Sequence, residues 1–383
     1  MDPKNFPNPD TGRVVLTPNG FWAFLPNPLP PNLNWSLPLV SMLSEAERNL
    51  SRLSTLIGNF PFPRLLLQPL IRNEAVISSR IEGTQASLID LYTFETDRRP
   101  SADVLQVYNY VQAMDYGLDR LKTLPVSLRL IRELHEKLFA NIHAGVITPG
   151  EFRRSQNWIG PAGSTPSNAA FVPPPVDEMQ LALDSLEKFI HSDVKIPALV
   201  RAGMIHYQFE AIHPFLDGNG RVGRLLIELL LCEWGLLPQP LLNLSTYIEH
   251  YRQEYYDHLL AVSQTGAWET WLRFFLRGIS EQSLQDIARM ERLEAIRAKF
   301  QTIMLVPNTE RNPPRMSAFV DFLFTRPVLS VRQASLELAV PFKTARDYIE
   351  KLERAAILRE ITGFARNRIY QSDEILKAIQ GLE

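Results

Sequence analysis

Residues 213–224 read HPFLDGNGRVGR, which puts one histidine, one aspartate, three glycines and two arginines into twelve positions. The flanks ALVRAGMIHYQFEAI (198–212) and LLIELLLCEWGLL (225–237) are apolar enough to be core helices, so polar groups are held between two buried elements. Pro214 fixes one backbone angle and Gly218 and Gly220 are free to take positive φ, so 214–219 is expected to be a tight loop. The second helix then starts near Asn219 or Gly220. Successive free N–H groups at a helix N-terminus form an anion site, and phosphate is the expected guest.

Arg221 and Arg224, three apart, share a face and offer planar forks that suit phosphate oxygens. Cations in a first helical turn oppose the dipole, so their presence points to function rather than stability. Asp217 among phosphate donors would repel the ligand unless a magnesium ion bridges carboxylate and phosphate. His213, just before the loop, is placed to take a proton from an attacking hydroxyl. Each residue alone has a bland alternative, since a histidine before a proline is most often structural and a GNG turn is most often only a turn. The joint pattern carries the reading. Neither G-x-x-x-x-G-K-[ST] nor a strand followed by G-x-G-x-x-G occurs here.

The twelve residues match without a gap the signature H-x-F-x-[DE]-G-N-G-R-x-x-R, and on that ground the chain resembles the Fic family, enzymes that move AMP from ATP onto protein hydroxyls. The resemblance implies a mainly α fold, a helical core with a β-hairpin flap. It implies His213 as general base, Asp217 as the Mg2+ ligand, Phe215 as a core anchor, a cradle at Gly218, Asn219 and Gly220, and Arg221 and Arg224 orienting the polyphosphate. The ATP-contacting set is completed by Val222, Gly223, Glu82 and Tyr256. A toxin branch that phosphorylates its target carries Lys in place of Gly220 and lacks the second arginine, so this chain is expected to transfer AMP. The implied acceptors are Tyr, Thr or Ser hydroxyls of target proteins and of the chain itself.

A length of 383 residues suggests two or three domains, and 45% hydrophobic content suffices for real cores. A formal charge of −2 gives no global attraction to nucleic acid or anionic membrane. Cys232, the single cysteine, excludes an internal disulfide and multi-cysteine zinc patterns, and reads as a small buried hydrophobe. His206 and His213, or His250 and His258, lack the i, i+4 spacing of a helical zinc site, so magnesium is the only metal implied. No basic-then-apolar leader and no apolar run of about 18 residues is visible, so a cytoplasmic protein without membrane contact is expected.

Nine prolines in the first 38 residues read as an extended arm over 1–39, pinned by Trp22 and Phe24. Apolar residues every three or four positions predict a helical region over 40–110, with a catalytic domain following over 111–305; Ser44 and Ser127 are candidate N-caps. Helical period lapses in EFRRSQNWIGPAGSTPSNAAFVPPPV (151–176), where QNWIG and AAFV look like two short strands around a turn. The resemblance makes this the flap that docks the target segment by strand addition, through Asn157, Trp158, Ile159, Phe171 and Val172. In STYIEHYRQEYYDHLL (245–260), Ile248, Tyr251, Tyr255 and Leu259 form the core stripe, and Tyr256 lies off it as the candidate adenine contact.

Residues 306–315 read as a linker, and 316–383 resemble a winged helix-turn-helix of three helices and a hairpin. Residues 311–383 carry 12 basic and 9 acidic residues, a modest excess for a DNA reader, with Arg366 and Arg368 on the candidate wing. Upstream, ISSRIEGTQ holds Ser78, Glu82 and Gly83, with Ser78 and Glu82 i, i+4 on one helix. Such a pair alone is ordinary helix surface; beside the signature it resembles the family's inhibitory helix, whose glutamate pairs with the second arginine. Two readings stay open: a self-inhibited AMP transferase, which includes an enzyme that mainly removes AMP, and a nucleotide-sensing transcriptional regulator. DNA and a second copy of the chain are carried as candidate partners.

Overall fold

The computed structural model describes residues 1–59, 63–94, 101–142, 145, 147–161, 163–305 and 313–382. The fold is mainly α, as expected. The N-terminal residues differ from the expected extended arm. They form a 3-10 turn at Pro3–Asn5 and an antiparallel hairpin of β1 (Gly12–Leu16) and β2 (Trp22–Pro26), with Val14 opposite Phe24. The prolines fall where a missing N–H costs least, Pro18 between the strands and Pro26 at the end of β2. Phe24 is buried against Phe6 and Phe171, at centroid distances of 5.3 and 5.7 Å, and its N–H donates to Val172 O at 2.8 Å. Trp22 is only half-buried.

Helices follow as α1 (Leu37–Asn59), α2 (Pro63–Ile81), α3 (Leu88–Phe94), α4 (Ala102–Arg120) and α5 (Leu128–Leu138). Because α1 starts at Leu37, Ser44 lies inside it rather than at its cap, and Ser36 Oγ instead accepts from Leu39 N at 3.3 Å. Ser127 caps α5 as expected, accepting from Leu130 N. The expected division at 110/111 falls within α4.

The chain continues as α6 (Val176–Ile190), α7 (Ala198–Ile212), α8 (Asn219–Glu233), α9 (Leu244–His250), α10 (Arg252–Thr265) and α11 (Trp268–Leu305). Helices α7 and α8 pack on each other and bury most of their residues, several polar ones such as His206, Gln208, Arg221, Arg224 and Glu228 among them. Their surroundings are α4 and α5 on α8, and α6, α10 and α11 on α7; α1 runs along α11. Cys232, expected to be buried, is half-buried.

Of the expected linker, 306–312 lie outside the described residues and 313–315 already belong to α12 (Pro313–Thr325). The remaining elements are β3 (Val328–Ser330), α13 (Val331–Glu337), α14 (Phe342–Arg354), β4 (Arg359–Glu360), β5 (Ile369–Gln371) and α15 (Asp373–Gln380). Three helices and a hairpin were expected; β3 joins that hairpin in an antiparallel sheet ordered β3-β5-β4, and α15 returns to pack on α11. Helix α12 lies on both α2 and α11, so this segment is packed on the body. Among the described residues no helix is long and apolar enough to cross a membrane.

Candidate active site

Helix α7 ends at His213, which takes left-handed angles (φ 49°, ψ 61°) although it is not glycine. Such a conformation persists only where its surroundings over-determine it. Here His213 O accepts from Arg153 Nε at 3.0 Å and from Asn157 Nδ2 at 3.1 Å, while Arg153 N donates to Pro214 O at 2.8 Å. Asn157 Nδ2 also reaches Phe215 O at 2.7 Å. From the far side, Asn219 accepts from Phe215 N and donates to Phe215 O, both at 2.9 Å, closing the loop on itself. Phe215 is the buried anchor expected of it and stacks on His135 at 3.8 Å. Gly150 N donates to His135 Nδ1, so Nε2 carries the hydrogen and donates to Asp217 O at 3.1 Å.

Helix α8 begins at Asn219, as expected, behind Gly218 at φ 82°. No side chain caps it, which leaves its first N–H groups open to an anion. Gly220, expected to need positive φ, is helical. It is glycine for space, because a Cβ there would overlap Glu82 Oε1 and stand 3.0 Å from Arg224 Nη1. Val222 turns its side chain into the core, so only its backbone could meet a ligand. Arg221 is buried under Phe139 at 5.1 Å, with Nη1 on Gln106 Oε1 at 2.9 Å and Nη2 3.6 Å from Asp217 Oδ1. Asp217 is the exposed member, its Oδ1 accepting from Gly218 N at 2.6 Å.

Across α8, Arg224 is fully committed to the end of α2. Its Nε donates to Ser78 Oγ at 2.8 Å, and its Nη2 donates to Ser78 O at 2.8 Å and to Glu82 Oε1 at 2.6 Å. Glu82 sits one residue past the last of α2, not on the helix as expected, and Gly83 at φ 104° turns the chain away. Stopping the helix there releases the Ser78 carbonyl, which the guanidinium takes up at the favourable end of the dipole. Burial alone would raise the Glu82 carboxyl, but the charge and hydrogen bond of Arg224, with Arg221 beside it, hold it below the ordinary glutamate value.

His213 donates through Nδ1 to Glu210 O at 3.2 Å, since a carbonyl can only accept, and Nε2 is then the basic nitrogen. Burial pushes this histidine down to about 4, keeping it neutral. His213, Gly220, Arg224 and Glu82 line one cleft of about 560 Å³ together with Tyr256, which stands off the apolar stripe as expected. Over the cleft, the described residues of 157–172 pair through a single bridge, Ile159 with Phe171, rather than two strands. Trp158 and Ile159 are exposed on its lip, whereas Asn157, Phe171 and Val172 turn inward: the first braces the loop, the others pack on the N-terminal hairpin and core. Arg153, His135 and Gln106, which hold the loop from three distant segments, carry no local sequence signal; Glu210 had one, the only acid in α7.

Residues 40–119 match the Fic/DOC family N-terminal model and residues 125–231 the Fic/DOC family model. Over 202 residues, 51% of this chain, the sequence is 28% identical to the protein adenylyltransferase Fic of Drosophila grimshawi and 27% identical to that of Drosophila yakuba. The match spans 38% and 37% of those two proteins, well under half their length. The fold is similar to the crystal structure of a Fic family protein from Desulfovibrio desulfuricans G20, with a TM-score of 0.59 at 18% identity, covering 90% of this chain and 98% of that one. With its loop, its uncapped helix and its arginine pair carried on those two matched regions, the chain belongs to the Fic/DOC family.

Proposed function

We propose that this protein transfers AMP from ATP to hydroxyl side chains of target proteins and of itself, and that Glu82 holds it in a resting state. The observation that carries the reading is the shared cleft, where the basic nitrogen of His213, the open end of α8 and the exposed lip of Trp158 and Ile159 meet. Phosphates would rest on the first N–H groups of α8 and on Arg224. Tyr256 flanks the cleft where an adenine ring would lie. The acceptor hydroxyl loses its proton to His213 Nε2 as its oxygen bonds the α phosphorus, and pyrophosphate leaves with the electrons of the broken P–O bond.

Asp217 is the residue that would hold magnesium, an ion usually bound by one or two carboxylates with substrate phosphates and water. The donor set fits, since Asp217 presents an exposed carboxylate beside the open first turn of α8. Bound there, the ion would neutralise phosphate charge. An intact base favours transfer over a nucleotide sensor, which needs none. His213→Ala should keep ATP affinity and lose self-labelling by about 10²–10⁴-fold, the scale of a lost general base; undiminished labelling from α-labelled ATP overturns the proposal.

A further inference from the structure

Glu210, three residues before His213 on α7, keeps its side chain 12% exposed and lines the cleft. Among the described residues its Oε1 has no hydrogen-bond partner, and Oε2 lies 4.0 Å from His213 Nδ1. Space for it is made by Gly223 of α8, where a Cβ would overlap Glu210 Oε1 and stand 3.2 Å from His206 Cε1. A buried carboxyl given a cavity and no partner is an expense that the packing of α7 on α8 does not require.

The groups that face it are His213 and His206 on its own helix, Arg224 on α8, Glu82 beyond α2 and Tyr255 on α10. Of these only Arg224 is a lasting cation, and it is paired to Glu82. We propose that Glu210 is a positioning residue of this site, the second carboxylate competing for Arg224, which becomes the counter-ion of protonated His213 when Glu82 withdraws. The inference rests on the reading of His213 as the base.

With Glu82 in place the buried Glu210 carboxyl is pushed up to about 8 by burial, Arg224 pulling it down and Glu82 raising it, so it stays protonated at neutral pH. Loss of Glu82 removes a repelling charge and leaves Arg224 without an ion pair, and both changes favour ionised Glu210. The proton taken by Nε2 from the acceptor hydroxyl then makes an imidazolium whose Nδ1–H points at the Glu210 carbonyl, with Glu210 Oε2 4.0 Å from Nδ1. The same departure that frees the arginine for phosphate thus supports the base.

The test is an NMR titration of the full chain carrying labelled histidine, with the His213 signal assigned by its loss in His213→Asn. Glu82→Gly is compared with Glu82→Gly/Glu210→Gln, so the direct effect of Glu82 on the ring cancels. His213 should titrate about 1–3 pH units higher where Glu210 is present, the usual range for an opposite charge at this distance. Equal titration in the two variants overturns the proposal. Glu210→Asp in the Glu82→Gly background, which keeps the carboxylate should the amide disturb folding, should restore a raised titration, and failure to do so counts equally against it. The titration needs no turnover, so the absence of labelling in every variant would sink the transfer reading while this result stands apart from it.

Discussion

Arg224 Nη2 donates to Glu82 Oε1 at 2.6 Å across 142 residues of sequence, and the same guanidinium is tied to Ser78 by two further bonds. On the proposed function, a cation placed to meet a polyphosphate is occupied from within the chain. Glu82→Gly should therefore raise self-labelling. Recovering one charge-assisted arginine bond, ~1.5–3 kcal/mol, corresponds to roughly a tenfold to hundredfold gain. Glu82→Gly with Arg224→Ala should lose that gain, because the released group is gone. Rates measured over a range of ATP concentrations decide it: no gain in the single variant means that the pair is structural only.

Asp217→Ala should behave differently from His213→Ala. The carboxylate is exposed, but its removal leaves the buried Arg221 without its ion pair, so the protein should lose about 1 kcal/mol of stability and stay folded. Activity should fall and its dependence on magnesium concentration should flatten or shift to far higher concentrations. Superimposable magnesium titrations for parent and variant would remove Asp217 from metal binding.

Much of this site is legible in residues 213–224 because each local rule there is broken for a reason: cations at a helix start, a carboxylate among phosphate donors, a histidine facing a turn. What was not legible depends on contacts between distant segments. Gly220 was expected to supply a backbone angle and instead supplies room for Glu82, a residue 138 positions away. Asn157 reads as a strand residue on a docking flap, yet Phe215 and His213 carbonyls in a non-repeating loop had to find donors, and Asn157 with Arg153 provides them. The proline count misread the N-terminus because proline excludes helix without excluding a short edge hairpin. The Glu82–Arg224 pair has no local signal, and only the family resemblance pointed to it.

The buried acids give the protein an alkaline weakness. Burial raises Glu74 to about 7 and Glu210 to about 8, and carries Glu228 well above its ordinary value. Burial lowers His135 and His213 to about 4 and His206 to about 3. A raised carboxyl stabilises below its unfolded value and loses that contribution as pH climbs through the folded one; a lowered histidine loses its contribution as pH falls from about 6.5. The two sets oppose each other between about pH 4.5 and 6.5, and above that the acids act without the histidines, the lowered Met1 amine working the other way. Unfolding free energy should fall from about pH 6.5 to 8, with Glu210 contributing about 2 kcal/mol of the fall at ~1.4 kcal/mol per pH unit. Denaturant curves at the two ends should show Glu210→Gln losing less than the parent by about that amount; an equal fall would mean that Glu210 is already ionised in the folded chain.

Gly220 and Gly223 occupy the same helix three residues apart, both at helical angles, and alanine should part them. At Gly220 the added methyl meets the far end of a flexible side chain, Glu82, in a cleft open to solvent. Glu82 can swing aside, and alanine is the better helix former by about 1 kcal/mol, so the loosened grip on Arg224 is partly offset and Gly220→Ala should cost less than Gly223→Ala. At Gly223 the methyl meets Glu210 Oε1, His206 Cε1 and Phe209 Cδ1, all within the packed face of α7. His206 and Phe209 are fully buried and cannot move into solvent, so Gly223→Ala should cost about 1–3 kcal/mol by overpacking, helix propensity notwithstanding. Urea unfolding of both variants separates the cases. Equal costs would mean that Glu82 is held as rigidly as Glu210, and a resting contact that cannot give way would be no switch.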